Sequence, residues 1–147
     1  MREFKGRVLI PGNYSGEAVV THTGFNPLAT YRDYFYGFET EKVCWDPDNK
    51  ELYRKEIVGK VLCIPQMVGS STAGLVMQTA AARGLISEVI LVAKELESLG
   101  VCGLLQAEVW EGVKIICVDR LGDEFLEYVE NGCTVEVFED GTVRVNK

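Results

Sequence analysis

The sequence predicts an α/β domain with a curled mixed sheet and two or three helices. Two observations carry that expectation. Residues 60–64 and 88–93 are short, mostly apolar runs of the kind that form buried strands. Between them Ala73, Val76, Met77 and Ala80 fall at i, i+3, i+4 and i+7, the stripe of a helix packed on a core. Strand, helix and strand within one short stretch make a β-α-β unit.

The other elements follow in chain order. Arg7, Val8, Leu9 and Ile10 form a strand ended by Pro11 and Gly12, and residues 17–21 form a second after a turn at 13–16. From His22 to Thr40 the pattern breaks down. Asn26-Pro27 marks a turn, and Tyr31, Tyr34, Phe35, Tyr36 and Phe38 crowd together as core or as a lid on a sheet edge, with a docking surface as the alternative. Residues 41–45 are expected as a strand before the polar turn 46–49. A helix is expected from Ser71 to Arg83, stopped by Gly84. A short helix is expected over 94–99, then an apolar stretch over 101–105 and a strand over 113–118. Residues 122–130 read as an amphipathic helix with Phe125, Leu126 and Val129 inward, stopped by Asn131-Gly132. Residues 133–139 and 142–145 read as a hairpin around Asp140-Gly141.

The length, 147 residues, fits a single domain over 1–147. Folding such a chain removes roughly two-thirds of its unfolded surface from water. The net charge of −7 and the absence of a basic block disfavour a nucleic-acid partner. No apolar run approaches bilayer-spanning length and no apolar signal segment follows Met1, so a cytoplasmic protein with no membrane contact is expected. Cys44, Cys63, Cys102, Cys117 and Cys133 contain no C-x-x-C pair, and the single histidine, His22, has no cysteine near it in sequence. They read as small, mostly buried thiols, and any metal the function needs is expected on another chain. His22 reads as surface or hydrogen-bonded structure. Asp119, Asp123 and Glu124 read as helix-start acids.

The segment that carries chemistry is Gly69-Ser70-Ser71-Thr72-Ala73-Gly74. A glycine and three hydroxyl residues follow a buried strand and open a helix. First-turn N–H groups lack intrahelical partners, and the helix dipole favours negative charge there. No acidic residue lies between Gly69 and Ala82 to neutralise that end. Ser or Thr at such a place is also an ordinary N-cap. Three hydroxyls behind a glycine exceed what a cap requires.

Four segments, Gly6-Arg7-Val8-Leu9-Ile10-Pro11-Gly12, Gly16-Glu17-Ala18-Val19-Val20, Gly59-Lys60-Val61-Leu62-Cys63-Ile64-Pro65 and Gly69-Ser70-Ser71, resemble in order and spacing the swivel-domain or small-subunit family of aconitase X. That family includes the small subunit of archaeal phosphomevalonate dehydratase and the matching part of bacterial cis-3-hydroxy-L-proline dehydratase. The resemblance implies a swivelling β/β/α domain and a hydro-lyase acting on a small hydroxy acid, phosphorylated or not. It also implies a large subunit that carries the substrate pocket and an iron or iron–sulfur centre, with no cofactor on this chain. Ser70, directly after the glycine, would be the proton acceptor, and Gly69, Ser71 and Thr72 would hold a substrate carboxylate or phosphate. The chain departs from the family pattern at Val68, where an arginine often stands, and at residues 23–28, where a Ser-Phe-Trp-Gly-Gly-like segment is common.

A serine acts as a base only when ionised, and lowering an alcohol's pKa by roughly six units takes about 8 kcal/mol. A helix N-terminus supplies about 0.3–1 kcal/mol, and about 2 at best. The isolated chain is therefore expected to be inactive without a partner. Two other classes remain. One is a non-enzymatic anion-binding or scaffold module. The other, a phosphotransfer-type swivelling domain, would need a carrier histidine that the turn at 69–72 lacks.

Overall fold

Arg2–Lys5 (β1) and Arg7–Ile10 (β2) are separated by Gly6 alone, yet they form the two opposite edges of one eight-stranded sheet. The sheet must therefore curl until its edges meet. The other strands are Tyr14–Val20 (β3), Val61–Ile64 (β4), Val89–Val92 (β5), Ile116–Asp119 (β6), Thr134–Val137 (β7) and Thr142–Asn146 (β8), in the spatial order β1-β8-β7-β3-β4-β5-β6-β2. This is a computed structural model, and it describes every residue except Ser70.

The seam explains the Gly-Arg-Val opening of the chain. The Gly6 N–H donates to the Gly141 carbonyl at 3.1 Å. A side chain at position 6 would strike the Asp119 carbonyl oxygen and come within 2.6 Å of Val118 Cγ1, so the edges close only over a glycine. Arg7 then pairs with Asp119, its register partner on the neighbouring strand β6. Its Nε and Nη2 donate to both oxygens of Asp119 at 2.9 and 2.6 Å, and the Leu96 N–H donates to the same carboxylate at 2.7 Å. Asp119 is thus the buried end of β6. The expectation of a helix-start acid is corrected for it, while Asp123 and Glu124 do occupy the first turn of a helix.

Strands β3 to β6 lie side by side and parallel. The first half of β3 pairs antiparallel with β7 and its last residues pair with β4, so the hairpin layer folds over along this strand. Four helices complete the described residues, one more than the sequence suggests: Pro27–Phe35 (α1), Ala73–Ala82 (α2), Ser98–Glu111 (α3) and Asp123–Tyr128 (α4). Alternate residues of the central strands build two cores, as a pleated strand requires. Leu62, Ile64, Ile90 and Val92 face Met77, Ala80, Leu104 and Ala107 of α2 and α3. Val61, Cys63, Val89 and Leu91 face Phe125 and Leu126 of α4 and the valines of the hairpin. Hairpin, sheet and helices make the β/β/α layering.

Other expectations shift. The 41–45 strand is reduced to isolated bridges, Val43 with Glu56 and Cys44 with Tyr53. Of the expected 94–99 helix, residues 94–97 are a loop and residues 98–99 open a longer helix, α3, which also absorbs residues 101–105. The loop is held open by backbone bonds from Lys94 N to Pro65 O and from Leu96 N to Asp119, which compete with helix formation. The helix expected from Ser71 begins at Ala73 and ends at Ala82. The 113–118 strand is confined to Ile116–Asp119. The aromatic stretch divides: Tyr31 is buried, Tyr34 and Phe35 pack against the core, and Tyr36 and Phe38 are exposed. Among the described residues no helix is long and apolar enough to cross a membrane.

Candidate functional site

Strand β4 is buried along its whole length and delivers the chain to the connector 65–69. This connector is held by a second extended stretch, residues 23–25, rather than by the sheet. The Phe25 N–H donates to Gln66 O at 2.9 Å, the Val68 N–H donates to Phe25 O at 2.8 Å, and Phe25 bridges Met67 in parallel. Fully buried Phe25 anchors the pair. Gly24 lies directly beneath Val68, where a Cβ would come within 2.6 Å of Val68 Cγ1. The two places where the sequence departs from the aconitase X pattern, Val68 and 23–28, are therefore one contact.

Gly69 follows with φ +117°, a conformation that favours glycine. A Cβ there would sit 2.8 Å from Asn26 Oδ1 and 3.2 Å from Asn26 Nδ2. Asn26 is fixed because Oδ1 caps α1, accepting from the Ala29 N–H at 3.2 Å, and Pro27 opens that helix. The start of α1 thus presses on Gly69, just before the start of α2.

Of the predicted site residues, Gly69, Ser71 and Thr72 are described and exposed, and Ser70 lies outside the described residues. Thr72 occupies the N-cap of α2 with φ −85° and ψ 2°, and its side chain makes no capping bond; its carbonyl accepts from Val76 N at 3.0 Å. Neither α1 nor α2 has an acid in its first turn. Two positive helix ends therefore converge on the turn 69–72 with no first-turn carboxylate of their own to neutralise them. The turn also lies beyond the carboxyl end of a parallel strand, where ligands dock on α/β sheets. The described residues that frame it, Asn26, Val68, Gly69, Ser71 and Thr72, are all uncharged. Such a place can hold an oxyanion, but it contains no protein cation to ionise an alcohol.

Sequence reasoning missed Asn26 and the α1 origin. The signal was there: an asparagine followed by proline is an N-cap with proline at the first helical position, as well as a turn dipeptide.

No described group of three or more His, Cys, Asp or Glu side chains is arranged to hold a metal. Burial pushes the thiols of Cys63 and Cys117 far above their ordinary range, and that of Cys44 upward too. These thiols stay protonated, which suits packing rather than ligation. The residues present do not fit an iron centre.

No curated protein matches the sequence significantly. Among solved structures, aconitase X of Thermococcus kodakaraensis in its holo form shares the fold, with a TM-score of 0.80 and 20% identity over all of both chains. A UPF0107 protein solved by NMR does so with a TM-score of 0.77 and 23% identity over 99% of this chain and 100% of that one. The aconitase X swivel domain profile matches residues 3–145, so this chain belongs to the aconitase X swivel-domain family.

Proposed function

We propose that the chain is the small subunit of an aconitase-X-type hydro-lyase, with Ser70 the base that takes a proton from a small hydroxy acid. The observation that carries the reading is the convergence of the α1 and α2 origins on the 69–72 turn, with no acid in either first turn. Gly69, Ser71 and Thr72 would hold a carboxylate or phosphate of the substrate, as the family resemblance implies. Ser70 would accept the proton beside that carboxylate, a step worth about 10²–10⁴ in rate for a positioned base.

The large subunit would supply what this turn lacks. The shortfall of about 6 kcal/mol, from about 8 needed and about 2 from a helix end, calls for cations outside the residues that frame the turn. Iron or an iron–sulfur centre would sit on that subunit, as the family resemblance implies. A surface for such a partner is available. Leu75, in the first turn of α2, and Leu105, Val109 and Trp110 of α3 are large apolar side chains left exposed, Trp110 at 72%. They stand on two helices that pack against each other, and a partner would cover them. A cytoplasmic location belongs to the same proposal. Replacing Ser70 by alanine in the assembled heteromer tests it: turnover should collapse while assembly persists. Unchanged turnover would leave an anion-binding or scaffold role.

A further inference from the structure

The one histidine of the chain has no part in the proposed chemistry, yet it is tied at both ring nitrogens. His22 follows β3 at the carboxyl edge of the sheet. Its Nδ1 lies 2.8 Å from Glu51 Oε2, and its backbone N–H donates to Glu51 Oε1 at 2.6 Å, so one carboxylate grips the residue twice. Its Nε2 lies 3.3 Å from the Leu126 carbonyl oxygen of α4. Both ring partners are pure acceptors. Only the imidazolium, with a proton on each nitrogen, satisfies both.

We propose that His22 is a pH-operated clasp: its imidazolium ties the 46–56 loop to the Leu126 carbonyl of α4, and loss of the Nε2 proton breaks that tie. The Nδ1 proton is retained because a carboxylate is the stronger acceptor. Deprotonated Nε2 then turns a lone pair toward the lone pairs of the Leu126 carbonyl, and the contact becomes repulsive. The loop side stays anchored. The Thr21 hydroxyl lies 3.1 Å from both Glu51 Oε1 and Asn49 Oδ1, and buried Asn49 accepts from the Leu52 N–H. On the α4 side His22 makes one bond, through Nε2, while Phe125 and Leu126 hold the helix in the core. Around that bond lies a crevice of about 290 Å³ lined by His22, Pro65, Lys94, Asp123, Leu126 and Glu127, so breaking it loosens the C-terminal turn of α4 beside this crevice.

The charges that face the ring are Glu51 from the loop, Asp123 and Glu127 from α4, and Lys94 from the segment after β5. The hydrogen bond to Glu51 raises the His22 pKa above its ordinary 6.5, against a smaller opposing effect of burial, and Glu127 adds to the rise. Burial pushes the Glu51 carboxyl up, but its bonds to His22 and Thr21 outweigh that and hold it below its ordinary 4.5. The clasp is therefore complete below pH 6.5 and opens as pH rises through the higher folded value. On the acid side it lasts until Glu51 takes up a proton.

The test is nitrogen-edited NMR of the imidazole in the full chain, which needs no assignment because no other histidine is present. The expected result is a midpoint above 6.5, with the neutral ring carrying its proton on Nδ1, the rarer tautomer. Amides of 126–129 should exchange faster above that midpoint, and in His22→Gln this pH dependence should vanish. Glu51→Gln should move the midpoint down. A midpoint at or below 6.5, a neutral ring protonated on Nε2, or α4 exchange with the same pH dependence in His22→Gln would overturn the clasp. None of these outcomes bears on Ser70.

Discussion

Gly69→Ala is the sharpest probe of how the candidate site is built. The substitution meets two obstacles that can be weighed separately. At φ +117° an L residue is strained, at a cost of about 1–3 kcal/mol. The new Cβ would also sit 2.8 Å from Asn26 Oδ1, which cannot retreat without giving up its bond to the Ala29 N–H. Loss of an N-cap costs about 1 kcal/mol. The sum is a destabilisation of about 2–4 kcal/mol, read as a lower urea midpoint at unchanged slope. The two parts separate in a double-mutant cycle with Asn26→Ser, which keeps a capping oxygen on a shorter side chain. In that background Gly69→Ala should cost only its backbone strain, leaving a coupling of about 1 kcal/mol. A Gly69→Ala protein as stable as the parent, or a cost identical in both backgrounds, would refute the claim that the α1 cap presses on Gly69.

Two further outcomes are expected. Asp119→Ala should destabilise the isolated chain by about 1–3 kcal/mol, because it strands the Leu96 N–H inside the protein, and Arg7→Ala should cost more, because stranding the fully buried Asp119 carboxylate without its cation costs about 3–5 kcal/mol; chemical denaturation of both variants checks the order. Val109→Ser with Trp110→Lys should leave the isolated chain within about 0.5 kcal/mol of the parent, since both side chains are exposed, but should prevent co-purification with the co-expressed large subunit.

The central β4, α2 and β5 were legible because their signals are local: apolar runs and a 3.6-residue stripe survive in one short stretch of chain. Helix α1 was obscured because its aromatic residues divide between core and solvent, so no clean stripe remains among Tyr31, Tyr34 and Phe35. Strand β1 offers only Phe4 as an apolar residue, packed edge-on to Phe125 across the hairpin layer. A four-residue edge strand with one inward side chain leaves no periodicity to read. Helix α3 was underestimated because Gly100 and Gly103 suggest interruption, yet Gly103 is where α3 packs against Gly74 of α2. The glycine-serine segment stood out in the sequence as a candidate site, but its neighbour Asn26 lies more than forty positions away in sequence. Asp119 was misassigned for a similar reason. Its partners Arg7 and Leu96 come from the neighbouring strand β2, more than one hundred positions away in sequence, and from the loop after β5.

The account's central claim concerns one hydroxyl group, and the direct measurement is the dehydration rate of the assembled heteromer carrying Ser70→Ala. The predicted result is a kcat about 100-fold or more below the parent complex, with unchanged subunit stoichiometry and iron content. A variant complex that turns over within a few-fold of the parent would contradict it, because the proton would then be taken by a group outside this chain's 69–72 turn.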